Sequence, residues 1–151
     1  LDLLGRKVLG SQGKLMLGFT KRVHRFCEAN VQHPQLQGLV VQLAGINRDL
    51  GELTQRVGMA AMKNPDEVGA ASVDYLMYCG YLILGYFWLR MAVVAHSKLE
   101  AAEGDTAFYQ AKLTTAEFYF ARLLPRTAAH RSAIEAGSAS LMKLPADQFI
   151  F

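Results

Sequence analysis

The sequence is poor in cysteine, and the two it holds, Cys27 and Cys79, stand far apart with no Cys-x-x-Cys spacing. That excludes a disulfide framework and a cysteine-built zinc site, and a reducing, cytoplasmic compartment fits such usage best. Period-two alternation bounded by turn residues is also missing, so no sheet organises the chain and the fold is expected to be all-α. There is no internal repeat and no glycine-rich phosphate loop, since the Gly10 to Gly13 cluster follows a helical pattern and not a strand. The opening LDLLGRKVLG has neither an initiator methionine nor the charged, apolar and small-residue order of a signal peptide, and is expected to be part of a longer polypeptide.

Charge is scarcest between Tyr75 and Ala95, where Arg90 is the only charged residue. Its apolar side chains face every direction, and a surface helix would show a polar face, so this stretch is expected to be a core helix enclosed on all sides. The uncharged run from Asp74 to Arg90 spans fifteen residues and contains Gly80, Gly85 and four tyrosines. A bilayer needs about twenty apolar residues, so protein rather than lipid is the expected enclosure. Tyr78, Tyr81, Tyr86 and Trp88 then read as packing groups rather than as a cofactor box.

A chain of 151 residues suits a single domain with a sizeable core. Leu1 to Leu9 read as the end of a helix stopped by Gly10-Ser11-Gln12-Gly13. A second helix, about 14–31, places Met16, Phe19, Val23 and Phe26 on one side and is closed by His33-Pro34. The third, about 35–62, carries a bundle seam of Leu36, Leu39, Leu43, Ile46, Leu50, Leu53, Val57 and Ala60, with glycines at 38, 45, 51 and 58 expected to admit a close neighbour. Asn64-Pro65-Asp66-Glu67 has the form of a helix start with a capping box, and launches the central helix, about 65–101, with a bend expected near Gly80 or Gly85. After a turn at Glu103-Gly104-Asp105, a fifth helix, about 106–136, packs through Tyr109, Leu113, Ala116, Phe120 and Leu123. It is expected to kink at Pro125 and to be capped by Gly137. The whole is a four-helix bundle with a short entering helix and a C-terminal tail ending in Phe149-Ile150-Phe151.

The first 35 residues hold Arg6, Lys7, Lys14, Lys21, Arg22 and Arg25 against Asp2 and Glu28, leaving the remainder of this +3 chain slightly acidic. No aromatic interleaving accompanies these cations, so they form the solvated face of an amphipathic helix and not a nucleic-acid site. No catalytic, cofactor-binding or metal-ligating residue is assigned. His24 and Glu28 form an exposed helical pair without a second pair to complete a metal site. His33 reads as a loop residue, His96 and His130 as residues near helix ends, and Ser138 and Ser140 lack a neighbouring base.

Phe108-Tyr109-x-Ala111-Lys112-Leu113-x-x-Ala116-x-x-Tyr119-Phe120, followed by Leu124-Pro125, Ala136-Gly137 and Leu141-Met142, resembles the extra C-terminal domain of a bacterial subfamily of acyl-CoA dehydrogenases that includes the methylmercaptopropionyl-CoA dehydrogenases. Leu1-Asp2-Leu3-Leu4-Gly5-Arg6-Lys7 is similar to the helix that follows the catalytic glutamate motif of these flavoproteins. The resemblance implies that residues 1–151 are a single helical domain at the C-terminal end of an FAD-dependent enzyme that dehydrogenates acyl-CoA thioesters. It also implies that the base and the flavin contacts lie upstream of Leu1, in a core that is this domain's partner. No FAD is expected on this chain alone, and a homo-oligomer is expected; a membrane is not. A stand-alone helical interaction or membrane-surface module, using the basic helix and the apolar tail, is the alternative.

Two acids, Asp74 and Glu117, lie in apolar runs and need partners. In an antiparallel hairpin turning around Gly104, residues equidistant from the turn face one another, which pairs Arg90 with Glu117 and Asp74 with Arg131.

Overall fold

In the computed structural model, which describes residues 1–148, the chain is a helical bundle with no strand among those residues. The Phe149-Ile150-Phe151 tail lies outside them. The entering helix, Asp2–Leu9, is wound wide, with the Gly10 N–H donating to the Gly5 carbonyl at 2.9 Å. Gln12 and Gly13 carry the chain through the left-handed region at φ 54° and 76°. This reversal, which glycine adopts without a steric penalty, starts α1, Lys14–Asn30. The remaining long elements are α2, Gln37–Ala61, α3, Asp66–Glu100, α4, Thr106–Phe118, and α5, Thr127–Ala136.

Local chemistry sets most of these boundaries. Asp105 accepts from the Phe108 N–H at 3.1 Å and caps α4, while Gly104, at φ 77°, makes the preceding turn. Asn64 accepts from the Asp66 N–H at 3.1 Å, but the expected capping box stays half made because the Glu67 carboxylate turns to Ser138 instead. The kink expected at Pro125 is present as a loosened stretch: a wide turn over Tyr119–Leu123, then a tight one over Leu124–Arg126, before α5 resumes. Proline supplies no N–H for a regular ladder, and Thr127 Oγ1 donates to the Leu124 carbonyl at 2.7 Å across the break. Gly137, at φ 70°, ends α5 as a C-cap.

The entering helix, α2, α4 and α5 all pack on α3, and α1 lies mainly on α2. Phe19 and Phe26 of α1 reach across to meet Tyr86 edge-on, at ring centroid distances of 6.2 and 5.4 Å. Tyr75, Tyr78, Leu82, Leu89, Phe120 and Leu124 fill the centre. Buried phenols hold hydrogen bonds, as buried polar groups must: Tyr78 donates to the Ile46 carbonyl at 3.1 Å and Tyr119 to the Tyr81 carbonyl at 2.9 Å.

Several expectations are corrected. The central helix is not enclosed on all sides, because its neighbours cover one side of α3 and leave Val73, Leu76, Leu84, Phe87 and Val94 between 49% and 70% exposed. A sequence that is apolar all round states what could be covered, not how many neighbours cover it. By length and composition α3 would also suffice to cross a membrane. The glycines of α2 are not the close-approach points: a Cβ at Gly38, Gly45 or Gly51 would meet nothing within 4 Å, and one at Gly58 would meet Leu9 Cδ2 at 3.4 Å. The close approach is at Gly85 on α3, where an added Cβ would stand 3.2 Å from Leu124 Cδ1 and 3.3 Å from Leu43 Cδ1.

Arg90 and Glu117 are both exposed and form no ion pair. The Arg90 guanidinium lies instead over the rings of Tyr86 and Phe87, at 5.5 and 5.9 Å. Asp74 binds His130 rather than Arg131, with Nδ1 at 2.7 Å from Oδ1. Arg131 turns the other way, to Asp49 at 2.6 Å and Glu52 at 3.7 Å on α2 and to Glu135 at 3.2 Å.

Candidate functional site

The groups able to do chemistry are dispersed over the bundle. The Asp74–His130 pair joins α3 to α5, with the Tyr81 ring stacked on the imidazole at 5.6 Å. A carboxylate on one imidazole nitrogen is half of a relay, but among the described residues no hydroxyl or thiol hydrogen-bonds the other nitrogen. The pair is therefore an interhelical tie. Sequence reasoning singled out Asp74 and its need for a partner, and passed over His130 as a helix-end residue.

Ser138 does have a carboxylate beside it. Its Oγ donates to Glu67 Oε1 at 2.6 Å and its N–H donates to the same oxygen at 3.2 Å, while Asn64 Nδ2 donates to Oγ at 3.0 Å. The hydroxyl is buried and saturated with partners, so the arrangement latches the end of α5 to the start of α3 and offers no exposed nucleophile. The two thiols are equally closed to chemistry, since burial pushes Cys27 up to about 11 and Cys79 up to about 12. Burial likewise raises the Tyr119 phenol to about 12.

His24 lies 3.3 Å from Glu28 on the exposed face of α1, as expected. His33 meets buried His96 edge-on at 4.7 Å, and His96 Nδ1 sits 3.3 Å from Glu100 Oε2 without hydrogen-bond geometry. No three His, Cys, Asp or Glu side chains gather with metal-ligating geometry among the described residues. Lys14, Lys21, Arg22 and Arg25 stand exposed on α1.

Two clefts remain. One, of about 650 Å³ between α1 and α2, is floored by Val40, Ala44 and Asn47 and rimmed by Lys21 and Arg48. Asn47 is 7% exposed; its amide nitrogen donates to the Thr20 carbonyl at 3.0 Å and its Oδ1 has no partner. The other, of about 400 Å³, lies between α3 and α4, with Phe87, Met91, Val94 and Phe108 beneath Arg90 and Lys112. A flavin needs a slot for its ring lined by several converging donors, together with a cradle of backbone N–H groups for its diphosphate. Neither cleft has that donor set, so neither fits FAD.

Comparison with known proteins supplies what the geometry lacks. The family model described as acetyl-CoA dehydrogenase C-terminal like matches residues 19–145. The chain is 30% identical, over 95% of its own length, to the broad-specificity linear acyl-CoA dehydrogenase FadE5 of Mycobacterium tuberculosis (strain ATCC 25618 / H37Rv), of which it covers 25%. It is also 30% identical, over 93% of its length, to the 3-methylmercaptopropionyl-CoA dehydrogenase of Ruegeria pomeroyi (strain ATCC 700808 / DSM 15171 / DSS-3), of which it covers 24%. The chain thus spans about a quarter of the length of the curated relatives it matches.

Proposed function

We propose, from the premise that the chain belongs to the acetyl-CoA dehydrogenase C-terminal-like family, that it is the non-catalytic helical domain of an FAD-dependent acyl-CoA dehydrogenase, serving subunit packing or shielding of the active site. In that enzyme an acyl-CoA thioester loses hydrogens from its α and β carbons; the base and the flavin belong to an upstream core and not to any residue numbered here. The observation that carries the reading is coverage: nearly all of this chain aligns with only a quarter of each of two acyl-CoA dehydrogenases. The dispersal of its titratable groups into structural ties supports a scaffolding role. Its two buried, unpaired thiols support a reducing, cytoplasmic setting.

Two measurements test this. The encoded residues preceding Leu1 are expected to include a Glu-Gly-Thr motif, and a start codon directly before Leu1 would overturn the proposal. Purified alone, the chain is expected to be colourless and without acyl-CoA dehydrogenase turnover. Yellow FAD retained through gel filtration, or turnover of any acyl-CoA, would show that the division of roles is wrong.

A further inference from the structure

We propose that the outward face of α3, with the cleft between it and α4, docks against the upstream part of the parent polypeptide, through an apolar segment that carries carboxylates. The inference rests on the reading of this chain as one domain of a longer enzyme and names the contact that joins the two.

The face is a stripe at helical spacing: Val73, Leu76, Ile83, Leu84, Phe87 and Val94 all stand exposed along it. At 1.5 Å per residue it runs for roughly 30 Å, and an exposed helix face normally carries polar groups. Contiguous apolar surface of this extent marks an interaction site. Gly80 sits within the stripe with nothing within 4 Å of where its Cβ would be, which leaves a flat place for a neighbour to approach.

The charges choose the occupant. Arg90 rests 5.5 Å from the Tyr86 ring centroid, and the Lys112 ammonium 5.0 Å from that of Phe108. Neither has a carboxylate within ion-pair distance among the described residues, whereas Arg131 holds Asp49 and Lys98 holds Glu103. Arg122 and Arg126 also lack an ion pair among those residues, but Arg90 and Lys112 are the ones seated over aromatic rings. Two aromatic-braced cations at the edge of an apolar cleft call for carboxylates on the partner. A second copy meeting this cleft about a two-fold axis would set these cations against themselves, because a two-fold contact lays one patch on its own image. A membrane-lying helix would carry cations along the length of the stripe, whereas here they stand at one end and half-buried Asp74 flanks the other. The parent supplies a partner in cis, since the relatives are about four times as long as this chain.

Peroxide footprinting of the full-length parent tests the contact without reference to activity, because methionine oxidation follows exposure. Met77 and Met91 lie on the face, 42% and 37% exposed, while Met62 and Met142, at 88% and 62%, lie off it. In the parent, Met77 and Met91 are expected to oxidise on the order of tenfold more slowly than Met62 and Met142. Arg90→Glu with Lys112→Glu, or separately Leu84→Lys, is expected to remove that protection while the helical circular dichroism stays unchanged. Equal rates at all four methionines in the wild-type parent would overturn the proposal. So would protection lost on dilution to single subunits, which assigns the face to a second copy, or protection gained only with phosphatidylserine vesicles, which assigns it to lipid. Failure of the enzyme reading would show separately, as a full-length polypeptide without acyl-CoA turnover.

Discussion

At the scale of single residues, the sequence marked charges lying in apolar runs but not which of them need partners, nor which partners those take. Successive residues on a helix point about 100° apart, so an assignment wrong by one position selects a different face. Asp74 was expected to meet the last helix at Arg131 and meets it at His130, the adjacent residue, while Arg131 is drawn to Asp49 and Glu52 on α2. Glu117, in an equally apolar run, needs no partner because it faces solvent. The energetic consequence separates the two acids. Side-chain exposures of 31% for Asp74 and 21% for His130 place their 2.7 Å contact between the surface and buried regimes. Asp74→Asn is therefore expected to cost about 1 to 2 kcal/mol, between the values for screened and for desolvated pairs. Glu117→Gln, by contrast, is expected to stay within about 0.5 kcal/mol of the parent, as surface substitutions do. Urea denaturation of the two variants side by side checks the ranking, and an equal loss for both would contradict it.

At the scale of elements, what local chemistry dictates was legible. The turn at Gly104-Asp105, Gly137 as the end of α5, and Pro125 as a break all act through the residue itself and its immediate neighbours. The role of a glycine inside a helix was not legible, because it depends on what lies opposite. Gly38, Gly45 and Gly51 of α2 open onto space and Gly58 meets Leu9 only at ordinary contact distance, whereas Gly85 is the point where the side chains of Leu43 and Leu124 close in on α3. A pair of substitutions on one helix isolates this. Gly80→Ala adds a methyl to open space in the free domain and gains helix propensity, for an expected stabilisation of up to about 1 kcal/mol. Gly85→Ala gains the same propensity but presses a methyl to 3.2 and 3.3 Å from two leucine methyls. Overpacking of about 1 to 3 kcal/mol then outweighs the gain, and a net loss is expected. Thermal unfolding in which Gly85→Ala stabilises as much as Gly80→Ala would show that Leu43 and Leu124 yield freely.

At the scale of the whole molecule, the all-helical architecture and its seams were legible because periodicity is a property of the chain, while the exposed side of α3 was not. Periodicity records which surfaces are apolar; the number of elements available to cover them is a property of the assembly. Here the domain's own helices cover one side of α3, and the other presents side chains such as Leu84 and Val94, 52% and 57% exposed, to solvent. Detached from the rest of its polypeptide, such a domain keeps the driving force for burial and loses its proper partner. The isolated chain is therefore expected to self-associate with rising concentration, weakly and without a closed stoichiometry, since Arg90 and Lys112 resist a symmetric contact. Leu84→Lys with Val94→Lys should abolish this association without loss of stability, as both side chains already face water and lysine is a good helix former. Sedimentation velocity decides the matter: a wild-type chain that stays a clean monomer at millimolar concentration, or a double variant that associates as strongly as the wild type, would place the adhesive surface elsewhere than on α3.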